Sequence, residues 1–225
     1  MASDPKVDTP GVEALYELTR SCTLCPRQCH VNRLNDEVGF CGIGAVPKVA
    51  SAGPHFGEEP PLVGTGGSGT IFLSGCNLGC LFCQNSEISH ARAGRSVEPA
   101  EIARTMLRLQ GRGCHNINFV TPSHVTAWIG RAILLARRER LTLPIIYNCG
   151  GYESVEALRH LEGLIDIYMP DAKFLDAEAA ERYCRTPRYP QIMKESLQEM
   201  HRQVGDLENR RGVAVRGLLV RHLVM

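Results

Sequence analysis

From residue 70 onward, short apolar runs alternate along the chain with stretches that carry apolar residues at helical spacing. Four runs are predicted to be strands, at residues 70–74, 117–120, 144–147 and 164–169, and a fifth strand is expected within 212–224. Helices are predicted between them, at residues 99–110, 124–138 and 154–161 and within 176–204. Strands that alternate with helices form βαβ units, so the pattern predicts an α/β fold with a parallel sheet.

The first third of the chain lacks this alternation. Residues 11–20 predict one short amphipathic helix, and residues 22–44 are rich in Cys and Gly. Residues 53–69 hold six Gly and three Pro, which is typical of a loop or a boundary. We therefore expect an N-terminal helix with a Cys-rich metal-binding extension at residues 1–68, followed by an α/β domain at residues 69–225.

The composition is that of a globular protein, with 44% hydrophobic and 22% charged residues. The formal net charge of +1 provides no field that would attract nucleic acid. No stretch reaches the roughly 20 apolar residues of a membrane span, and residues 1–10 lack the apolar core of a secretory signal. We therefore expect a cytoplasmic protein with neither a nucleic-acid partner nor a membrane.

Ten cysteines are unusual for a reducing compartment, where disulfides are rare. In a cytosolic chain they indicate metal or redox chemistry. Seven of them form two groups, and the three that stand alone are Cys114, Cys149 and Cys184. The grouping favours metal binding over use of cysteine as an ordinary core residue.

The second group follows the first predicted strand directly, with the spacing C-x3-C-x2-C at Cys76, Cys80 and Cys83. Three thiolates on one loop can bind three irons of a [4Fe-4S] cluster and leave the fourth iron open to a chelating cofactor. Gly75 and Gly79 allow the backbone to turn tightly. The alternatives are a zinc knuckle or three structural thiols, but a structural zinc site normally takes four protein ligands.

The string at residues 75–85, Gly-Cys-Asn-Leu-Gly-Cys-Leu-Phe-Cys-Gln-Asn, resembles the radical S-adenosylmethionine (SAM) superfamily, and within it the branch of the pyruvate formate-lyase activating enzymes. The resemblance implies that the amino and carboxyl groups of SAM chelate the open iron. It also implies an oxidoreductase in which reductive cleavage of SAM gives a 5′-deoxyadenosyl radical that abstracts hydrogen from the substrate. A reductant such as flavodoxin or ferredoxin is then expected, and two kinds of substrate stay open, a protein of the glycyl-radical type and a small molecule or another macromolecule.

The same resemblance implies a partial (βα)6 barrel, whereas the sequence predicts only five strands. The last of these runs almost to Met225. We therefore expect the barrel to be truncated after the fifth strand, and the 225-residue fragment to be poorly stable because a bare final strand exposes backbone and apolar groups.

Ligands of parallel sheets bind at the carboxyl ends of the strands, so the candidate SAM-binding residues lie there. Ser123 and His124 follow the second strand, and their side chains can form hydrogen bonds in place of the Gly-Gly-Glu motif that the family commonly has. Asn118 is on the same strand. Asn148 follows the third strand, where some activating enzymes have an Asp that helps to bind a cation, so its missing charge disfavours such a site.

Three further candidates carry charge and one is aromatic. Asp171 and Lys173 resemble an Asp-x-Lys pair that would meet the ribose hydroxyls and the carboxylate of SAM, and Arg221 resembles an Arg that reaches the same carboxylate. The resemblance places Phe82 against the adenine. The structural alternatives are a core role for Phe82, a helix N-cap at Ser123 and a surface ion pair for Asp171 and Lys173.

The first cysteine group has the spacing C-x2-C-x3-C-x11-C, at Cys22, Cys25, Cys29 and Cys41. Four thiols suit a closed site, either structural zinc or a second [4Fe-4S] cluster that relays electrons. Residues 22–29 and 39–42 resemble the N-terminal segment of a subgroup of the activase-like proteins. A second functional class stays open, a non-catalytic iron–sulfur electron-transfer or zinc-binding protein, although such a carrier does not need the charges of Asp171, Lys173 and Arg221.

Overall fold

The five predicted strands form the centre of one mixed sheet in the computed structural model, which describes residues 8–222. The strands in chain order are β1 (Lys48–His55), β2 (Ser68–Leu73), β3 (Arg95–Ser96), β4 (Ile117–Val120), β5 (Ile145–Cys149), β6 (Ile167–Pro170), β7 (Glu208–Arg210) and β8 (Val213–Leu218). Their order in the sheet is β3-β1-β2-β4-β5-β6-β8-β7. Strands β2, β4, β5, β6 and β8 are parallel, which confirms the α/β prediction.

Helices connect the parallel strands in sequence. In chain order the helices are α1 (Pro10–Glu17), α2 (Pro60–Val63), α3 (Ser86–Ser89), α4 (Pro99–Gly111), α5 (Thr126–Arg138), α6 (Val155–His160), α7 (Ala177–Cys184) and α8 (Tyr189–Val204). Local chemistry sets several of the N-termini, because Thr9, Ser154 and Asp176 accept backbone hydrogen bonds as N-caps of α1, α6 and α7. Among the described residues, no helix is long and apolar enough to cross a membrane.

Three strands were not predicted, and all of them are antiparallel to their neighbours. Strand β1 pairs with β2 along most of its length, whereas β3 reaches only Lys48 and Val49 of β1. The sequence of β1 reads as a loop because it contains Gly53 and Pro54. Pro54 is tolerated there because the outer edge of β1 has no ladder partner beyond Val49 in the described residues.

The boundaries of three parallel strands also differ from the prediction. Strand β5 extends to Cys149, and β6 begins three residues later than predicted. Strand β8 ends at Leu218, and the end of the predicted fifth-strand segment, residues 223–224, lies outside the described residues. The domain boundary predicted between residues 68 and 69 falls within β2.

The two faces of the sheet are covered by different parts of the chain. Phe119, Tyr147 and Tyr168 belong to a large core that also contains residues of the helices α1, α4, α5 and α6. On the other face, Ile146 and Met169 pack with Leu62 of α2. Residues 53–69, predicted as a loop, thus supply a short helix that closes the second face, as expected for parallel strands buried on both sides.

Candidate cofactor site

A cavity of about 740 Å³ opens at the carboxyl ends of β2, β4, β5 and β6, a volume typical of small-molecule sites. Strand ends predicted to bind a ligand therefore converge on one space. The predicted residues among its lining are Cys76, Cys80, Phe82, Cys83, Asn148, Asp171, Lys173 and Arg221.

The cysteine loop after β2 is held in a tight turn. Gly75 and Gly79 have φ values of +83° and +70°, a left-handed conformation that favours glycine. A side chain at Gly75 would meet the carbonyl oxygen of Cys41 at 2.8 Å, so the loop packs directly on the N-terminal segment. Burial raises the pKa of Cys76 to about 11. The thiol of Cys83 lies 3.1 Å from Ser89 Oγ.

A fourth thiol stands beside this loop, although its cysteine stands alone in the sequence and matches no motif there. The Sγ atom of Cys184, at the end of α7, is 3.3 Å from the Sγ atom of Cys80. This contact and burial both raise the pKa of Cys80. The two residues are 104 positions apart, and motif spacing detects only ligands that are close in sequence.

Charged groups form a connected network at the ends of β5, β6 and β8. Asp171 accepts hydrogen bonds from Lys173 Nζ at 2.6 Å and from Arg221 Nε at 2.8 Å. Arg221 also donates through Nη2 to Asn148 Oδ1 at 2.7 Å. Burial alone would lower the pKa of Lys173, but the neighbouring Asp171 carboxylate outweighs it and the pKa is raised. Lys173 therefore keeps its positive charge within the cavity wall.

Phe82 lies at the surface of the cavity, whereas Asn118 is fully buried. Phe82 lines the cavity and packs edge-to-face on Phe174, with ring centroids 5.9 Å apart. The Nζ atom of Lys173 lies 5.9 Å from the centroid of the Phe82 ring. Asn118 is fully buried and points to the same face of β4 as Val120, a cavity residue. Neither polar atom of the Asn118 side chain forms a hydrogen bond of normal geometry with the described residues.

Ser123 and His124 are placed away from the cavity, in a 3₁₀ turn after β4. Ser123 donates to Glu153 Oε1 at 2.6 Å and does not cap α5. The His124 imidazole contacts the carbonyl oxygen of Ser74 through Nε2 at 2.8 Å. Burial, assisted by Arg33, lowers the pKa of His124 to about 3. Both side chains thus have internal partners, and neither is available to a ligand in the cavity.

The four N-terminal cysteines line a second, much smaller pocket. Its volume is about 10 Å³, roughly the space of one water molecule, and Asn77 and His124 also line it. Burial raises the pKa of Cys25 and of Cys41. In residues 8–222, no three or more His, Cys, Asp or Glu side chains are arranged to hold a metal ion. This holds for the quartet and equally for Cys76, Cys80 and Cys83, so the structure brings the thiols of each group near one another without showing a metal site.

Arg27 joins the two cysteine groups. Its guanidinium donates to the carbonyl oxygens of Asn77 and Leu78 in the cysteine loop, at 2.8 and 3.0 Å. It also donates to the carbonyl oxygens of Cys184 and Arg185 at the end of α7, both at 2.9 Å. One side chain from the first group therefore fixes the backbone around the second.

Comparison with known proteins agrees with this geometry. Residues 70–210, which contain the cysteine loop, match the radical SAM superfamily. An uncharacterized protein of Methanocaldococcus jannaschii is 30% identical over 221 residues, which is 95% of this chain. The chain spans 60% of the length of that relative.

Proposed function

The chain belongs to the radical SAM superfamily, and on that basis we propose that it is an enzyme that binds a [4Fe-4S] cluster through Cys76, Cys80 and Cys83 and SAM through the neighbouring strand ends. When bound, the cluster supplies the electron that cleaves SAM to methionine and a 5′-deoxyadenosyl radical, which abstracts hydrogen from the substrate. The observation that carries the proposal is that the three thiols and the charged network line one cavity.

The residues fit both groups chemically. Thiolates are the usual ligands of iron–sulfur clusters, and three of them lie on one loop at the cavity wall. Lys173 and Arg221 offer donors to a carboxylate, whereas Asp171 accepts from hydroxyl groups. Phe82 supplies an apolar ring at the same wall. We leave Ser123 and His124 out of this set because their side chains bind within the protein.

We further propose that the chain resembles the activating enzymes in function, with a protein substrate of the glycyl-radical type and a reductant such as flavodoxin or ferredoxin in the cytoplasm. The string at residues 75–85 supports this finer assignment. For the N-terminal quartet we propose a closed metal site, zinc or a second [4Fe-4S] cluster. The support is that Cys22, Cys25, Cys29 and Cys41 face one pocket.

The test is SAM cleavage by anaerobically reconstituted and reduced protein, together with the change of the cluster spectrum when SAM is added. A cluster that forms without responding to SAM would favour the non-catalytic electron carrier. Transfer of deuterium from a candidate substrate into 5′-deoxyadenosine would identify the hydrogen donor.

Lys173→Ala tests the cofactor wall. We expect the cluster to assemble while SAM binds about tenfold or more weakly, because a charge-assisted hydrogen bond is worth about 1.5–3 kcal/mol. The control is Lys194→Ala, at an exposed position of α8. SAM titrations that give equal affinities for Lys173→Ala and the wild type would assign Lys173 to a purely structural ion pair.

A further inference from the structure

One part of the cavity wall belongs neither to the cysteine loop nor to the charged strand ends. It consists of His55, at the end of β1, and of Glu58 and Glu59, which directly precede α2. Asn118 of β4 lies beside Glu58, close enough that its amide lowers the pKa of that carboxyl group. We call these four residues the acidic wall.

Several polar atoms of the acidic wall have no hydrogen-bond partner of normal geometry among the described residues. Both side-chain polar atoms of Asn118 and the Oε2 atom of Glu59 are buried without a hydrogen bond of normal geometry to the described residues, although the Asn118 amide lies close to Glu58. His55 Nδ1 forms no hydrogen bond of normal geometry and lies 3.3 Å from Glu58 Oε1. Burying a polar group without a partner is unfavourable, so several such groups at and beside one cavity wall indicate a missing ligand.

The carboxyl groups of the acidic wall indicate that this ligand carries a positive charge. Glu58 is only 8% exposed, and burial together with the neighbouring Glu59 carboxylate raises its pKa. The nearest permanent cation is Arg221, whose Nη1 atom is 3.5 Å from Glu59 Oε1. Arg221 is shared, because its Nε atom is bound to Asp171 at 2.8 Å. Lys173 is likewise bound to Asp171, so the two glutamates share Arg221 with Asp171, and their other neighbour able to carry positive charge is His55, whose Nδ1 atom lies 3.3 Å from Glu58 Oε1.

We propose that the acidic wall binds a positively charged nitrogen group of the substrate, an alkylammonium or a guanidinium. Such a group carries the donors that Glu59 Oε2 and Asn118 Oδ1 lack and the charge that Glu58 and Glu59 require. The cavity has room for it beside the cysteine loop. This inference rests on the proposed function in one respect only, that the substrate shares the cavity with SAM.

The amino group of SAM has the same chemistry and is the competing occupant. The resemblance to the superfamily implies that this amino group would instead chelate iron at the cysteine loop. The imidazole and the two carboxyl groups of the acidic wall belong to another segment of the chain, residues 55–59, and Glu59 contacts the strand-end network through Arg221. These positions favour the substrate as the source of the cation.

The experiment compares two probes of nearly equal shape, n-butylguanidinium and the uncharged n-butylurea. Each is titrated by calorimetry into the reconstituted, SAM-loaded protein, the wild type against Glu58→Gln. We expect the guanidinium to bind at least about tenfold more tightly than the urea, and Glu58→Gln to remove most of that preference. The control is Glu87→Gln, at an exposed position of α3, which should keep it. Thermal unfolding verifies that both variants fold.

Three results would overturn the proposal. Equal affinity for the two probes, or no binding of either, would mean that the wall is satisfied by water. Displacement of SAM by n-butylguanidinium, with Glu58→Gln weakening SAM itself, would mean that the glutamates hold the amino group of SAM. Failure of the proposed function is seen separately, because the cluster spectrum would then not respond to SAM in the wild type.

Discussion

The two cysteine groups lie next to each other and use the same ligand atom, yet they face different environments. The quartet encloses a pocket of about 10 Å³, whereas the loop of Cys76, Cys80 and Cys83 faces a cavity of about 740 Å³. The quartet's pocket is lined by the arginines Arg27 and Arg33 as well as by the apolar residues Leu24 and Val31. The cavity beside the loop instead carries an acidic and a basic side chain, Asp171 and Lys173.

This difference separates a closed site from an open one. Four thiols around a pocket the size of one water molecule leave no approach for a substrate. Three thiols at a large cavity leave ligand positions free on the cavity side. The size of the space beside each cysteine group, more than the type of residue, therefore predicts which group takes part in a reaction. Substitutions in either cysteine group, or in the residues between the two groups, test this difference.

The largest effect is expected at the open group. Cys76→Ala should abolish the SAM-dependent change in the cluster spectrum, because only two thiols of the loop remain. For Cys80 we expect the same result in the double variant Cys80→Ala/Cys184→Ala, since Cys184 lies 3.3 Å away and is able to replace the lost ligand. Cys114→Ala, outside both groups, is the matched control. A full SAM response in the Cys76 variant would refute the assignment of the open site.

At the closed group we expect loss of metal without loss of the SAM response. Cys22→Ala should lower the metal content by one zinc or about four irons per chain. The cluster at Cys76, Cys80 and Cys83 should still change its spectrum with SAM. Elemental analysis of wild type and variant measures the first effect. An unaltered metal content would show that the quartet is not a metal site.

The connection between the groups is tested by Arg27→Met, which keeps the apolar stem and removes four hydrogen bonds to carbonyl oxygens. We expect a loss of about 2–4 kcal/mol in the free energy of unfolding and poorer retention of the cluster. Urea denaturation measures the first effect. Arg20→Met is the control, because its ion pair with Glu17 is exposed and worth about 0–1 kcal/mol. Equal losses in the two variants would mean that Arg27 does not couple the groups.

The sequence predicted the parallel strands and part of the cavity wall for a definite reason. Parallel strands buried on both faces leave apolar runs, and ligand residues follow each run directly. Asn148, Asp171 and Lys173 were found in this way. Ser123 and His124 satisfy the same rule but lie elsewhere, because Thr121 turns with a φ of +61° and both side chains find internal partners.

The remaining features depend on contacts between distant segments, which spacing does not encode. Cys184 meets Cys80 only because α7 folds back on the cysteine loop, where Leu81 N donates to Tyr183 O. Glu58 and Glu59 lie in a stretch whose Gly and Pro content indicates a loop. They reach the cavity because Leu62 anchors α2 against the sheet.

The smallest effect concerns His124, which lies between the two groups and contacts Ser74 at the start of the cysteine loop. Its pKa is lowered to about 3 by burial, whereas an unfolded histidine titrates near 6.5. Below pH 6.5 the unfolded chain therefore binds a proton that the folded chain does not. Stability should fall by up to about 1.4 kcal/mol for each pH unit between 6.5 and 3, and the loss is absent above 6.5.

Other groups titrate in the same range, so the His124 contribution must be isolated as a difference. Urea denaturation between pH 7 and pH 4.5 is compared for the wild type and for His124→Gln, whose amide is able to donate to the same carbonyl. We expect the variant to lose less stability on acidification, by about 1–3 kcal/mol at the lowest pH. His90→Gln, at an exposed position, should follow the wild type. Parallel plots of unfolding free energy against pH for wild type and His124→Gln would contradict a neutral, buried His124. The contact between the two cysteine groups would then be open to water.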